Sequence, residues 1–569
     1  MKKRIVISSL LILALILAVS GICALFYIKD AQTVLAIKTR KYISAALHTR
    51  RFPHPPDPYA NLNITKETRY VNNRPAASVE LQKEKDNKLV LETPQSLRLF
   101  DYAAGYALDL PLGTSFDFSK SPHYTEISGD GFSGVISKEW SVDADVSAYV
   151  ENYFNRFILN ADYQQHNGIQ LAASEKTADY ERITLALSPE YPYDRYTYLI
   201  LKTDSRFFFR VMLRHHADVP MTDTIQSILD SFQYFKPTGT AAYDLDLYPV
   251  LPAAWSAETA ALYDRFAAPD GFLWGIFAQD VKERGIDQII PDMEKSLDYR
   301  FDIILTYTSL AEGFPTDFMR RCYDENRVVE LTYQLTDNNN ENLFAQSPLL
   351  NMHQGIDYPQ IRAFAKDAAA FGRPFLFRLN NEMNSDWVSY GGVNNLQDPS
   401  IFAENWRTIY RIFEEEGVNN AIWIFNPNDR DCPPNGWNSY LAYYPGNEYV
   451  HMFGVTGYNN GSYYKEVFNE SWREFDTIYD VITDRCGGLF DRFPWIITEF
   501  ASGSVGGNKE KWINNMFKSL DRYPQIKAAV WFSFADFDFR PGYEGTVSRS
   551  YWLDETPQTL ESFKRGLKR

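Results

Sequence analysis

Short apolar runs recur from residue 255 to the end of the chain, and stretches with the spacing of amphipathic helices separate them. The runs are apolar at successive positions, which is typical of strands buried on both faces of a parallel sheet. Eight such strands alternating with helices, for example at 402–415 and 509–521, predict an α/β fold, a (β/α)8 TIM barrel. The runs lie at residues 272–278, 302–308, 328–334, 374–382, 421–428, 450–459, 495–501 and 528–536.

Residues 60–236 have a different pattern, which predicts a smaller α+β domain in front of the barrel. Apolar residues at helical spacing over 146–157 predict an amphipathic helix. The runs 180–187, 196–202 and 207–213 predict consecutive strands of an antiparallel meander, and a helix around 225–232 closes the domain.

The first 28 residues predict a membrane anchor. Residues 1–4 are basic, and 5–28 contain no charged side chain. A secretory signal has a shorter apolar core, of about 7–15 residues, whereas a spanning helix needs about 20. We therefore expect a single-pass protein of the cell membrane with its bulk outside the cell, or a secreted protein if the segment is cleaved. The predicted parts are the anchor at 1–28, a proline-rich spacer at 29–59, the α+β domain at 60–236, a linker at 237–254 and the barrel at 255–569.

Charge and cysteine content exclude several classes of function. The formal net charge of −16 argues against nucleic acid as a partner, because phosphate binding requires a basic surface. The four cysteines lack metal-ligand spacing, and at most one disulfide is expected. The acidic and amide side chains at 337–342 lack the spacing of a calcium loop, so a solvated or sugar-contacting loop is expected there. We predict neither a metal nor a cofactor.

Two glutamates stand where a barrel carries its chemistry, at the carboxyl ends of predicted strands. Glu382 ends the fourth strand and Glu499 ends the seventh. In a closed barrel these two strand ends face each other across the mouth. A pair of facing carboxyl groups, about 5–5.5 Å apart in retaining enzymes, is the arrangement that glycoside hydrolysis requires.

The residues at these strand ends resemble glycoside hydrolase family 26, a clan A family best known for endo-β-mannanases. In that family the fourth strand carries an arginine, then His-Glu-Met-Asn-Gly, then a tryptophan. The resemblance covers about residues 256–569 and implies that Glu382 is the acid/base and Glu499 the nucleophile. It also places the matched arginine and tryptophan among the substrate-binding residues. The matching residues here are Arg378, Glu382, Met383, Asn384 and Trp387.

The same resemblance implies further substrate-binding residues. Tyr458 matches the tyrosine that hydrogen-bonds the nucleophile, and Trp531 matches the aromatic floor under the sugar in the −1 subsite. Asn381 replaces the family's histidine and is similar to most other clan A families, where this asparagine contacts the sugar 2-hydroxyl. Ser385 replaces a glycine, and Gln334 stands where the third strand usually carries a histidine. These departures preserve the two-carboxylate mechanism but leave mannan specificity open.

The roles also make electrostatic sense. Glu382 must be protonated at neutral pH, and aromatic walls such as Trp387 and Trp423 would raise its pKa by removing water. A hydroxyl of Tyr458 that donates to Glu499 would favour the ionised nucleophile. The face of Trp531 would stabilise the positive charge that develops on the sugar.

Together these features predict a membrane-anchored, extracellular retaining glycosidase that acts on β-mannan or a related β-1,4- or β-1,3-linked polysaccharide. Two alternatives stay open. One is a carbohydrate-binding protein on an inactive barrel, which the two intact glutamates argue against. The other is an enzyme with a different sugar specificity that trims the exopolysaccharide of its own cell.

Overall fold

The computed structural model describes residues 53–60, 62–75, 87–121, 123–143, 145–240, 242–336 and 343–568. The predicted anchor at 1–28 and the predicted loop at 337–342 lie outside these residues. Within the described ranges, no helix combines the length and the apolar character needed to cross a bilayer. The N-terminal membrane helix and the membrane localisation therefore stay predictions.

The strands are numbered here in chain order. They are β1 (Lys66–Val71), β2 (Arg74–Pro75), β3 (Asn87–Glu92), β4 (Leu97–Asp101), β5 (Tyr106–Leu110), β6 (Ser115–Asp117), β7 (Tyr124–Gly129), β8 (Phe132–Trp140), β9 (Gln170–Lys176), β10 (Tyr180–Ala186), β11 (Arg195–Lys202), β12 (Phe207–His215), β13 (Gln233–Tyr234), β14 (Leu273–Ala278), β15 (Ile303–Ser309), β16 (Val328–Gln334), β17 (Phe375–Leu379), β18 (Ala421–Phe425), β19 (Met452–Thr456), β20 (Trp495–Phe500), β21 (Ile526–Ser533), β22 (Ala535–Phe537) and β23 (Val547–Ser550).

Helical segments connect these strands. The α-helices are Val146–Val150, Ala161–Asn167, Val219–Asp230, Ala257–Ala267, Ile290–Leu297, Thr316–Asp324, Pro348–His353, Tyr358–Phe371, Pro399–Glu415, Lys465–Phe468, Phe475–Cys486, Lys509–Ser519 and Pro557–Leu567. The π-helical segments are Glu151–Ile158 and Val281–Ile289. Short 3₁₀ turns lie at Gly392–Asn394, Gly436–Asn438, Tyr440–Tyr443, Asn447–Tyr449 and Leu520–Arg522.

Among the described residues, eight parallel strands, β14 to β21, close into a barrel, which confirms the predicted (β/α)8 fold. The predicted runs overlap all eight observed strands, because the runs are apolar on both faces. β15 extends one residue beyond its run, and β21 begins two residues before its run. Alternate residues of a strand point to opposite sides. Leu376, Ile424 and Val530 pack inside the barrel, whereas Phe377 and Trp423 belong to the outer core that the surrounding helices cover. The outer layer is thus a separate apolar core from the barrel interior.

In the described part of the chain, contacts group the residues into two compact units. One unit consists of the described residues up to Leu112 together with Gln226–Ala241, and the other of Gly113–Ile225 and Ala242–Arg569. The first unit contains an antiparallel sheet in the order β13-β5-β4-β3-β1-β2 around a small apolar core with Leu91 and Phe100. This grouping divides residues 60–236, which the sequence pattern treats as one domain.

The second unit contains, beside the barrel, an antiparallel sheet in the order β6-β7-β8-β12-β11-β10-β9. Strands β10, β11 and β12 are the predicted meander, whereas β6, β7 and β8 were not predicted. The buried face of this sheet, for example Leu185 and Met212, belongs to one continuous apolar core with barrel residues such as Leu349 and Phe402. Residues 113–225 group with the barrel because this core is shared.

Candidate active site

The structure places both predicted glutamates at the carboxyl ends of barrel strands. Glu382 follows β17 and has a φ of 58°, in the left-handed region that a side chain with a Cβ rarely adopts. Its backbone N–H donates to the carbonyl of Asn426 at 2.8 Å, and this bond ties the end of the fourth barrel strand to the end of the fifth. Glu499 lies in β20 and is 5% exposed. The strained conformation at Glu382 marks a position that the surrounding structure holds in place.

Donors converge on both oxygens of Glu499. The hydroxyl of Tyr307 donates to Oε1 at 2.6 Å, and the hydroxyl of Tyr458 donates to Oε2 at 2.8 Å. Nη1 of Arg378 lies 2.6 Å from Oε1, and Nδ2 of Asn381 donates to the same oxygen at 3.4 Å. Hydrogen bonds from a cation and from hydroxyl groups stabilise a negative charge. The site is therefore built to carry an anionic oxygen at Glu499.

Arg378 is completely buried and is itself held on several sides. Its Nε donates to the hydroxyl of Thr332 at 2.7 Å and lies 3.2 Å from Oε1 of Glu330, and its Nη1 donates to Oδ1 of Asn426 at 3.0 Å. Burial is the largest single influence on the guanidinium and lowers its pKa, but Glu499, Tyr307 and Glu330 together outweigh it and the pKa rises. Burial raises the pKa of Glu330 to about 8. Arg378 is thus a fixed cation between two carboxyl groups.

The surroundings of Glu382 are different. Burial, and then the negative charge of Glu499, raises the pKa of Glu382 to about 7, although two hydrogen bonds work in the opposite direction. Nδ2 of Asn428 donates to Oε1 at 2.5 Å, and Nε1 of Trp387 donates to Oε2 at 3.5 Å. One carboxyl of the pair can therefore hold a proton near neutral pH while the other faces cationic and hydroxyl donors. Two carboxyl groups in such contrasting environments can act as general acid and nucleophile.

The structure brings most of the sequence-predicted site residues together. Arg378, Asn381 and Tyr458 contact Glu499, and Trp387 contacts Glu382. Trp387 is 43% exposed and forms an open edge of the site. The amide oxygen of Asn381 accepts from Gln334 and Tyr390, which fixes the orientation of its side chain.

Trp531 does not belong to the site, and its predicted role as a sugar floor is corrected. It is fully buried outside the barrel, where its ring packs against Trp512 and Phe563 at 6.2 and 5.6 Å, and its Nε1 donates to the carbonyl of Tyr551. The reason is the alternation of side chains along β21, which turns Val530 inward and Trp531 outward. Trp423 likewise faces outward, against Trp406 and Phe413, and cannot wall the site.

Phe532, one position after Trp531, takes the place that the sequence assigned to the tryptophan. Its ring stacks on Phe277 at 4.6 Å and lies edge-on to Tyr458 at 5.8 Å. Tyr458 in turn donates to Glu499. The residue of β21 that packs against Tyr458 beside Glu499 is therefore a phenylalanine.

Sequence reasoning also missed Tyr307 and Asn428, which contact the two glutamates directly. Both lie in the last part of a predicted strand, 302–308 and 421–428. Polar residues at the strand ends of a barrel face its mouth. The same rule that identified the two glutamates would also have identified Tyr307 and Asn428.

Comparisons with known proteins find sequences and structures that are similar to parts of this chain. The model of the family described as Glycosyl hydrolase family 26 matches residues 354–482, a stretch that includes Glu382. Endoglucanase H of Acetivibrio thermocellus is 35% identical over 177 residues, which are 30% of this chain and 19% of that protein. Mannan endo-1,4-beta-mannosidase of Bacillus subtilis is 30% identical over 98 residues, 16% of this chain and 25% of that protein.

The chain thus spans a quarter or less of the length of these curated relatives. Among solved structures, the catalytic domain of the Bacillus sp. JAMB-750 GH26 endo-beta-1,4-mannanase matches with a TM-score of 0.44 and 17% identity. That match covers 57% of this chain and 93% of the mannanase chain. The family match confirms the resemblance that the strand-end residues indicated.

Proposed function

We propose that the family 26 glycosyl hydrolase domain of this chain cleaves a β-linked polysaccharide with retention of configuration. Glu499 acts as the nucleophile and Glu382 as the acid/base. The observation that supports this most is the contrast between the two carboxyl groups. Burial raises the pKa of Glu382 to about 7. Glu499, by contrast, forms an ion pair with Arg378 and accepts hydrogen bonds from the hydroxyls of Tyr307 and Tyr458.

In the first step, Glu382 gives its proton to the glycosidic oxygen while an oxygen of Glu499 attacks the anomeric carbon. The bond to the leaving sugar breaks, and an ester bond to Glu499 forms. The ester carries no charge, so one of the two causes that raise the pKa of Glu382 disappears. Glu382 is then an anion that can take a proton from water, and the water displaces the ester and releases the sugar.

The substrate class that we propose is β-mannan or a related β-glycan. Asn381 supports a contact with the sugar 2-hydroxyl, because its amide lies beside Glu499 and is fixed by Gln334 and Tyr390. Release of reducing sugar from a panel of β-mannan, β-1,4-glucan and β-1,3-glucan tests the class. Binding of a glycan without turnover at any pH would instead support a carbohydrate-binding protein.

The stereochemistry of the product tests the mechanism. Two displacements each invert the anomeric centre, so we expect the β anomer to form first. Proton NMR during the first minutes of hydrolysis, before mutarotation, measures it. An α product would mean inversion and would contradict the role of Glu499 as nucleophile.

We also expect kcat/KM to fall as the pH rises through about 7, the value to which burial raises the pKa of Glu382. The sign follows from the chemistry, because the protonated form is the active acid and is lost above its pKa. Each further pH unit should lower kcat/KM about tenfold. An aryl glycoside with an activated leaving group needs no proton in the first step, so its profile should stay flat there. A profile for the natural glycan without this basic limb would contradict the assignment of Glu382.

A further inference from the structure

The segment between Glu382 and the helix Pro399–Glu415, residues 383–398, is called here the Trp387 loop. It supplies two of the contacts that order the site. Nε1 of Trp387 donates to Glu382, and the hydroxyl of Tyr390 donates to Oδ1 of Asn381 at 3.0 Å. The geometry of both strand-end residues therefore depends on where this loop lies.

The Trp387 loop has little regular structure to hold it. A single 3₁₀ turn, Gly392–Asn394, interrupts it. Leu396 and Gln397 have φ angles of 59° and 49°, which strain residues that carry a Cβ. Backbone strain of this kind costs about 1–3 kcal/mol per residue and persists only where neighbouring groups impose it. The loop therefore needs contacts from outside itself.

Residues of the segment 113–225 supply those contacts. The hydroxyl of Tyr163 donates to the carbonyl of Asn394 at 2.5 Å, and the hydroxyl of Tyr198 to that of Leu396 at 2.6 Å. Nη2 of Arg210 donates to the carbonyl of Gln397 at 2.7 Å. The three donating side chains are almost completely buried. Three carbonyls at the strained end of the loop, those of Asn394, Leu396 and Gln397, are thus held by side chains of the segment 113–225.

Arg210 is the most informative of these residues. A buried charge is costly unless polar or aromatic groups compensate for it. The guanidinium lies over the rings of Trp437 and Tyr198, at 5.2 and 5.6 Å. Trp437 follows barrel strand β18, and Glu139 of β8 accepts from its backbone N–H at 3.0 Å. A cation in this place links the sheet to two barrel loops.

Asp398, at the end of the Trp387 loop, receives the same support. Its carboxylate caps the helix Pro399–Glu415 by accepting from the N–H of Ser400. The hydroxyl of Tyr196 donates to it at 3.1 Å, and Nη1 of Arg214 lies 3.5 Å away. The sheet therefore fixes the point at which the loop becomes helix.

We propose that residues 113–225 are a positioning layer of the active site, in which Tyr198 and Arg210 hold the Trp387 loop so that Trp387 covers Glu382. Neither residue touches the substrate. Their effect on catalysis rests on the proposed function, whereas their effect on the loop does not.

The layer should control the protonation of Glu382. Among the residues that the structure describes, the charged and titratable groups around Glu382 are Glu499, Arg378, Tyr390 and Tyr458, of which Tyr390 belongs to the loop. Burial is the main cause of the raised pKa of Glu382. A loosened loop admits water and also loses the hydrogen bond from Trp387, which by itself lowers this pKa. Burial is the larger of the two influences, so the pKa should fall towards its ordinary value. The basic limb of the kcat/KM profile should then move to lower pH.

The test uses the full chain with Tyr198→Phe and Arg210→Met. Matched controls on the same sheet are Tyr180→Phe, whose hydroxyl binds the exposed Glu175, and Arg182→Met. We expect kcat on the glycan to fall about 10-fold in Tyr198→Phe and about 100-fold in Arg210→Met, because small misplacements in a site have effects of this size. Both variants should shift the basic limb of the kcat/KM profile to lower pH. Arg210→Lys keeps the positive charge, so its kcat should lie between those of wild type and Arg210→Met. The controls should stay within about twofold of wild type.

Hydrogen exchange of the amides at 394–398 gives a second measurement that needs no substrate. We expect exchange at least about tenfold faster in the two variants than in the controls, because the lost bonds lower the free energy of local opening. The proposal would be overturned if Tyr198→Phe and Arg210→Met showed the same exchange rates and the same basic limb of the kcat/KM profile as the controls. If Arg210→Met does not fold, Tyr198→Phe decides. If wild type cleaves no glycan, the proposed function fails, and the exchange rates still decide whether the layer holds the loop.

Discussion

Glu499→Ala should abolish cleavage of the glycan and of activated aryl glycosides alike. Without the carboxylate no glycosyl-enzyme ester can form, and the loss should be on the order of 10⁴-fold or more. The same change removes an ion-pair partner of the buried Arg378. Rates of reducing-sugar and aryl-alcohol release measure the effect.

A loss of folding must be separated from a loss of chemistry. Breaking a buried ion pair by removing one partner costs about 3–5 kcal/mol of stability. Glu499→Gln keeps the shape of the side chain, and its amide oxygen in the place of Oε1 still accepts from Arg378 and Tyr307. This variant should therefore fold well and still be inactive. Glu414→Ala, on an exposed glutamate of the helix after β17, is the control and should be fully active. Activity of Glu499→Gln near that of Glu414→Ala would contradict the role of the nucleophile.

Glu382→Ala should separate substrates by their leaving groups. A natural glycan needs a proton on the departing oxygen, so its first step should slow by about 10²–10⁴-fold, the usual contribution of a general acid. An activated aryl glycoside leaves without a proton, so its first step should be nearly unchanged. The ester then accumulates, because no base activates water. A burst of aryl alcohol followed by a slow steady state is the expected signature in rapid-mixing kinetics.

Azide gives a sharper form of the same test. A small anion needs no base, so it should enter the space left by Glu382 and displace the ester, which restores part of the steady-state rate. The expected product is a β-glycosyl azide, because the second displacement inverts the centre again. With Glu499→Ala, azide should give no β-glycosyl azide, because no ester forms for it to displace. If Glu382→Ala slowed the glycan and the aryl glycoside equally and azide restored neither rate, the general acid would have to be another residue.

Much of the site could be predicted because its signals are local. The apolar runs of the barrel strands are contiguous in sequence, and Glu382 and Glu499 come at or just after their ends. Neighbouring strand ends also bring side chains together, as for Tyr458 and Glu499, a contact that the resemblance to family 26 implied. Glu330, by contrast, lies inside an apolar run, where nothing in the sequence distinguishes it from any other strand residue. Its place beside Arg378 depends on the register of β16 against β17.

The amino-acid sequence by itself therefore determined the barrel, the order of its strands and the two carboxyl groups at its mouth, since each depends on neighbours along the chain. The tertiary structure decided the rest. It decided that Phe532 rather than Trp531 faces the site, because the side of a strand that points inward is set by packing against other strands. It also decided that 113–225 packs with the barrel, because the bonds from Tyr198 and Arg210 to the Trp387 loop join residues that lie far apart in the sequence.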